Sequence, residues 1–191
     1  MKINSISLIS VVSLLSCASA ANAGVVADFY VGGMAGVGGQ TLFAEHKNET
    51  DTSRMFGAIA GVDLPVFRIE GEYDYFASKD FDTNAAMVNL YAKMPSTIIL
   101  PYIGGGIGMV FSGEQTIKAD GVKIEHKIDS TAAYQAMLGA TVDILAVPLK
   151  FDIEGRVLYA PDIYTVTQPT GSDVTPDMLQ YGLRVKMRYI F

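Results

Sequence analysis

The sequence predicts an all-β chain, an eight-stranded antiparallel up-and-down transmembrane β-barrel. Three observations predict it. Several segments alternate apolar and charged residues with period two, the connections between them alternate long and short, and aromatic residues gather near both ends of the segments.

Composition narrows the class first. The 191 residues carry a formal net charge of -6, with 50% hydrophobic and 18% charged residues. So apolar a chain is not disordered. Its acidic balance argues against nucleic acid as a partner, because that binding rests on neutralising phosphates with Lys and Arg. Cys17 is the only cysteine, which excludes an internal disulfide framework and a multi-cysteine metal site. His46 and His126 leave little material for zinc.

Residues 1–23 read as a secretory signal peptide. Lys2 supplies the positive charge, Ile6 to Leu15 form a short apolar stretch, and Ala21-Asn22-Ala23 fits the A-x-A cleavage pattern. The stretch is too short for a transmembrane helix, which needs about 20 apolar residues. A second reading treats Leu14-Leu15-Ser16-Cys17 as a lipoprotein cleavage box with Cys17 lipidated. Residues 24–191 then form the barrel domain.

The expected strands are 27–43, 53–62, 66–76, 84–93, 98–111, 129–144, 148–160 and 178–191. The third, Phe67 to Tyr75, has apolar, aromatic or Gly residues at odd positions and charges at even ones. The seventh, Leu149 to Val157, and the eighth, Leu183 to Phe191, repeat this. The intervening segments 44–52, 63–65, 77–83, 94–97, 112–128, 145–147 and 161–177 are alternately long and short. Pro65, Pro95 and Pro148 mark the short ones. Short turns at one end and longer loops at the other are the asymmetry of a transmembrane barrel, which a Greek-key sandwich has no reason to show. Phe67, Tyr102, Phe151 and Tyr189 fall near the short-turn ends. Phe43, Tyr75, Phe111, Tyr159 and Tyr181 fall near the long-loop ends, as two interfacial girdles would. Asp120-Gly121 centres a short hairpin expected within the third long loop.

A charge on the lipid face costs about 2–4 kcal/mol at mid-depth, so the charged parity of each strand must face the lumen. This places Arg68, Glu70, Glu72 and Asp74 inside from the third strand, and Lys93 and Asp143 from the fourth and sixth. Lys150, Asp152, Glu154 and Arg156 join from the seventh, and Arg184, Lys186 and Arg188 from the eighth, with Asp28 beside them. An eight-stranded barrel is just wide enough for its own side chains. These near-balanced charges are therefore expected to form a salt-bridged plug rather than an open pore.

The chain resembles the small Gram-negative outer-membrane β-barrels: the transmembrane domain of outer-membrane protein A, the Opa-type adhesins and the porin-family surface antigens. Asp28-Phe29-Tyr30-Val31-Gly32-Gly33, Pro101 to Gly108, and Tyr181 to Phe191 carry the resemblance. It implies localisation in the cell outer membrane, contact with outer-membrane lipid and lipopolysaccharide, and surface-exposed loops. It also implies that Tyr189 and Phe191 belong to a C-terminal signal read by the outer-membrane assembly machinery. The sequence stops at Phe191 without the peptidoglycan-binding domain of full-length outer-membrane protein A, so a wall-anchoring role is not expected to carry over.

Candidate chemistry is sparse. Gly32 to Gly39 invites a phosphate-loop reading, but Gly39-Gln40-Thr41 lacks the required Lys and no helix opens there. Glycines where a barrel wall bends explain the run better. His126 lies near Glu125, Asp129 and Ser130, the residue types of a hydrolase, but without a nucleophile elbow. No catalytic residue, cofactor or metal is expected. The expected function is non-enzymatic: a surface-exposed structural protein or antigen with a host-contact role and host surface molecules as partners. The alternatives are a narrow porin passing small solutes and, less in keeping with the residues, an outer-membrane hydrolase.

Overall fold

The computed structural model describes residues 27–44, 47–77, 82–94, 99–112, 115–119, 122–126, 130–144, 147–163, 166–167, 173–174 and 177–191, and side chains within them outside 42–51, 112–126 and 166–174. Twelve strands run in chain order: β1 (Asp28–Ala44), β2 (Lys47–Asp63), β3 (Phe67–Ala77), β4 (Thr83–Lys93), β5 (Ile99–Ser112), β6 (Gln115–Ala119), β7 (Val122–His126), β8 (Thr131–Asp143), β9 (Leu149–Ala160), β10 (Val166–Thr167), β11 (Asp173–Val174) and β12 (Asp177–Ile190). Eight of them close a barrel in the order β1-β12-β9-β8-β5-β4-β3-β2. Every pairing is antiparallel, and β1 closes on β12 from Tyr30↔Ile190 to Phe43↔Asp177. Closure removes the sheet edges, so the backbone polar groups are satisfied within the wall.

The expected fold is the observed one, and its eight principal strands lie close to the expected ranges. The first connection differs. The ladder between β1 and β2 runs on to Ala44↔Lys47, so Ala44 and 47–52 continue strands where a loop is expected. Polar residues beyond the membrane lose the apolar half of the period-two signal, yet their backbones still pair. Long connections consequently occur only between β5 and β8 and between β9 and β12. The first holds the β6–β7 hairpin on either side of Asp120-Gly121, and the second the short β10–β11 ladder.

The outward wall is apolar. Val88, Leu90, Ile103, Ile107, Leu138, Ile153 and Leu183 are all more than half exposed on it, as lipid-facing residues should be. Among the described residues no helix is long and apolar enough to cross a membrane, which has no bearing on a barrel that crosses with strands. Exposed Phe29, Phe67 and Tyr189 ring the short-turn end, and Phe56, Tyr75, Tyr159 and Tyr181 the other. Tyr102 departs from its expected place in the girdle. On β5 the outward positions are Ile99, Pro101 and Ile103, so parity turns Tyr102 into the lumen, where it is 1% exposed.

Candidate functional site: the barrel lumen

Long side chains enter the lumen from three strands, β3, β9 and β12, while β1 and β5, opposite each other in the closed barrel, place glycines at several inward positions. Small residues there leave room for arginine and glutamate reaching across. The lumen fills in layers.

At the short-turn end, Asp63 pairs with Lys93, with Lys150 (3.6 Å) and with Arg188 (3.1 Å). Asp143 pairs with Lys150 at 3.7 Å and stays partly exposed. One turn of pleat deeper, Arg188 donates from Nε to Asp152 (2.7 Å), which also faces Arg68 at 3.3 Å. The Arg68 guanidinium stacks 4.0 Å from the Tyr91 ring centre and 4.6 Å from that of Tyr102. Its Nε and Nη2 have no hydrogen-bond acceptor among the described residues, so the two aromatic faces supply much of its electrostatic compensation.

At mid-depth, Glu70 accepts hydrogen bonds from Lys186 (2.8 Å), Tyr30 (2.7 Å) and Tyr91 (2.9 Å). Glu154 accepts from Arg184 (2.6 Å) and Tyr102 (2.9 Å). Glu72 is the hub. Arg184 donates to both its oxygens at 2.7 and 2.9 Å, and Arg156, Asn89 and Gln135 add further bonds. Arg156 also pairs with Asp74. Each of these carboxylates is buried and meets at least one cation, the arrangement that makes buried charge tolerable.

Above the charges the lumen turns apolar. Met55, Phe76, Met87, Val110, Leu158, Ile163 and Met178 form one buried cluster at the long-connection end. Ile163 reaches it from beyond the end of β9. The chain bends inward at Asp162, which has φ of 50° and donates its N–H to Asp177 (3.2 Å). Thr131 holds the preceding turn by donating to the Pro161 carbonyl (2.7 Å).

The thirteen lumen residues named from the sequence occupy this network, with Lys93, Asp143 and Lys150 at its partly open end. Asp28 has no ion pair among the described residues. Its cross-strand neighbour Asp63 holds that corner instead, and sequence reasoning missed it by ending the second strand at 62. Tyr30, Tyr91, Tyr102, Asn89 and Gln135 were missed as well. Their signal is the buried parity of β1, β4, β5 and β8, on which they are polar members, as is Thr141, which bonds Asp152. Tyr189 and Phe191 stand outside the lumen, edge to face with ring centres 5.4 Å apart. His46, Asp129 and residues 1–26, with the signal peptide and Cys17, lie outside the described residues. So do the side chains of Glu125 and His126. Among the described residues no three His, Cys, Asp or Glu are grouped to hold a metal ion.

A family model described as outer membrane protein beta-barrel domain matches residues 8–186. No curated protein sequence matches the chain. Among solved structures it is similar to Neisserial surface protein A, with a TM-score of 0.58 at 12% identity over 84% of this chain and 97% of that one. The N-terminal beta-barrel domain of Pseudomonas aeruginosa OprF follows with a TM-score of 0.48 at 9% identity, over 82% and 97% of the two chains. Ail, the attachment invasion locus protein of Yersinia pestis, solved with the heparin analogue sucrose octasulfate, gives 0.47 at 9% identity over 85% and 99%.

Proposed function

Because the chain belongs to the outer membrane protein beta-barrel domain family, we propose that it is a closed, non-enzymatic outer-membrane barrel that serves as a surface-exposed structural protein and antigen with a host-contact role. The lumen carries this reading. It is occupied by mutually paired charges and topped by an apolar layer around Ile163. An ion crossing it would have to break those pairs and then pass a mainly apolar layer.

In this reading residues 1–23 are the secretory signal, cut after Ala23, and the assembly machinery reads Tyr189 and Phe191. The turns at 64–66, 94–98 and 144–148 face the periplasm. The β6–β7 hairpin and the β9–β12 connection face outward and supply the contact surface for host molecules.

Single-channel recording of refolded protein in planar bilayers tests it, comparing wild type with Glu72→Ala and Arg184→Ala. A silent wild type, opened by either substitution, is the expected outcome. Stable large-conductance steps in the wild type would overturn the closed barrel in favour of a narrow porin.

A further inference from the structure

The buried apolar cluster at the long-connection end draws on every barrel strand except β1, and Ile163 is the member that comes from a connection instead. It is 2% exposed, although its chain neighbour Asp162 is exposed. An apolar side chain set into the mouth of the lumen from beyond the wall is placed as a stopper.

The stopper is held from both neighbouring strands. On the β12 side, Asp177 accepts the Asp162 N–H at one carboxylate oxygen (3.2 Å) and the Tyr159 hydroxyl at the other (2.7 Å). On the β8 side, Thr131 donates to the Pro161 carbonyl (2.7 Å). The ladder between β9 and β12 ends at Ala160↔Met178, so these side-chain bonds take over where the backbone pairing stops.

The bend itself favours release. Asp162 adopts φ of 50°, in the left-handed region that is unfavourable for a residue with a Cβ. Its N–H bond to Asp177 is exposed, and exposed bonds outside the core are among the first to open. Burial of Ile163 in the apolar layer opposes the opening.

We propose that residues 161–163 are a latched cap on the mouth of the lumen at the long-connection end, with Asp177 as the latch. On release the segment swings off the mouth, Ile163 leaves the cluster and water reaches the apolar layer, while the charge pairs beneath keep their partners. The cap leads straight into the connection between β9 and β12, so a partner that pulls on that connection acts on Ile163 first. The inference concerns the mouth alone and does not rest on the lumen being closed to ions.

The test is thiol accessibility in the refolded full chain. Cys17 is the only cysteine, so Cys17→Ser gives a thiol-free background for two reporters, introduced singly. Leu158→Cys lies under the cap, and Met137→Cys lies among Tyr91 and Tyr102 deeper in the lumen. Labelling by a water-soluble maleimide in detergent micelles is timed against the urea-unfolded chain. Heat-modifiable gel mobility confirms folding, and Met87→Cys, in the same cluster, stands in if Leu158→Cys does not fold. With the latch intact, both reporters should react many-fold slower than in the unfolded chain. Asp177→Ala should speed the reporter at 158 several-fold and leave the one at 137 unchanged. Ile163→Ala, which removes the stopper but not the latch, should do the same. Fast labelling at 158 with the latch intact would show that nothing caps the mouth. No effect of Asp177→Ala, or an effect that Ile163→Ala does not share, would overturn the latch. An equal rise at both reporters would mark general loosening of the barrel and overturn it as well.

Discussion

Arg184 and Glu72 meet across the lumen as a two-pronged ion pair, with Nη1 2.7 Å from one carboxylate oxygen and Nη2 2.9 Å from the other. The two residues come from strands that are not neighbours in the wall, β12 and β3. The pair thus ties opposite sides of the barrel, and Arg184 also holds Glu154.

Breaking a buried pair from one side costs about 3–5 kcal/mol where no other partner remains, and less where a second ion stands by. Arg184→Met and Glu72→Gln should each lower the unfolding free energy in lipid vesicles, Arg184→Met more because it takes a cation from two carboxylates, Glu72 and Glu154. The double variant should lose less than the two single losses together, with a coupling of about 0.5–3 kcal/mol. Because the pair is buried, added salt should change these values little. Additive losses in urea titrations would contradict a coupled network.

Tyr102 and Gly139 face each other directly on β5 and β8. The phenol end of the ring lies over the glycine, so that a Cβ there would stand 2.6 Å from the phenol oxygen. Only a missing side chain lets the hydroxyl reach Glu154. Gly104 gives Tyr91 the same bed, and the two rings meet edge to face at 5.4 Å around Arg68. Gly139→Ala should therefore displace Tyr102 and destabilise the barrel by about 1–3 kcal/mol, as overpacking does. Gly155→Ala is the control, since a Cβ there meets nothing nearer than 3.7 Å. Equal unfolding midpoints for the two variants would show that Tyr102 does not need the glycine.

β3, β9 and β12 are legible in the sequence because their charges and apolar residues strictly alternate, and a membrane leaves one direction for a charge to point. β1 and β5 are harder to read. Their glycines carry no inward or outward signal, which is how Tyr102 comes to be placed in the girdle. Asp63 is hidden by its position at a strand end beside Leu64-Pro65, where turn and strand look alike. Which charges pair is beyond a strand-by-strand reading, since it depends on the stagger of the closed barrel. Ile163 is illegible for a similar reason: it belongs to a connection, and only the bend at Asp162 turns it inward.

The connections make a topological prediction. External protease on intact cells should cut only within 113–130 or 161–176, or nowhere if those segments are compact. The turns at 64–66, 94–98 and 144–148 should be cut only after the outer membrane is permeabilised. Mass mapping of the fragments decides it, and cleavage at the short turns in intact cells would reverse the orientation.

The C-terminus separates assembly from stability. The Phe191 backbone is held, its N–H donating to the Phe29 carbonyl at 2.9 Å. Its ring is 67% exposed and touches Tyr189 edge to face. Removing that ring takes little packing from the folded barrel, so Phe191→Ala should shift the unfolding free energy of refolded protein by less than about 1 kcal/mol. If the ring is instead read during insertion, the same variant should fold poorly in cells. Most of it should then migrate as the unfolded band on unboiled gels, while purified protein refolds normally in detergent. Tyr189→Ala should behave alike. A fall in detergent stability that matches the loss in cells would assign the ring to the folded state. Full assembly in cells would remove the C-terminal residues from recognition altogether.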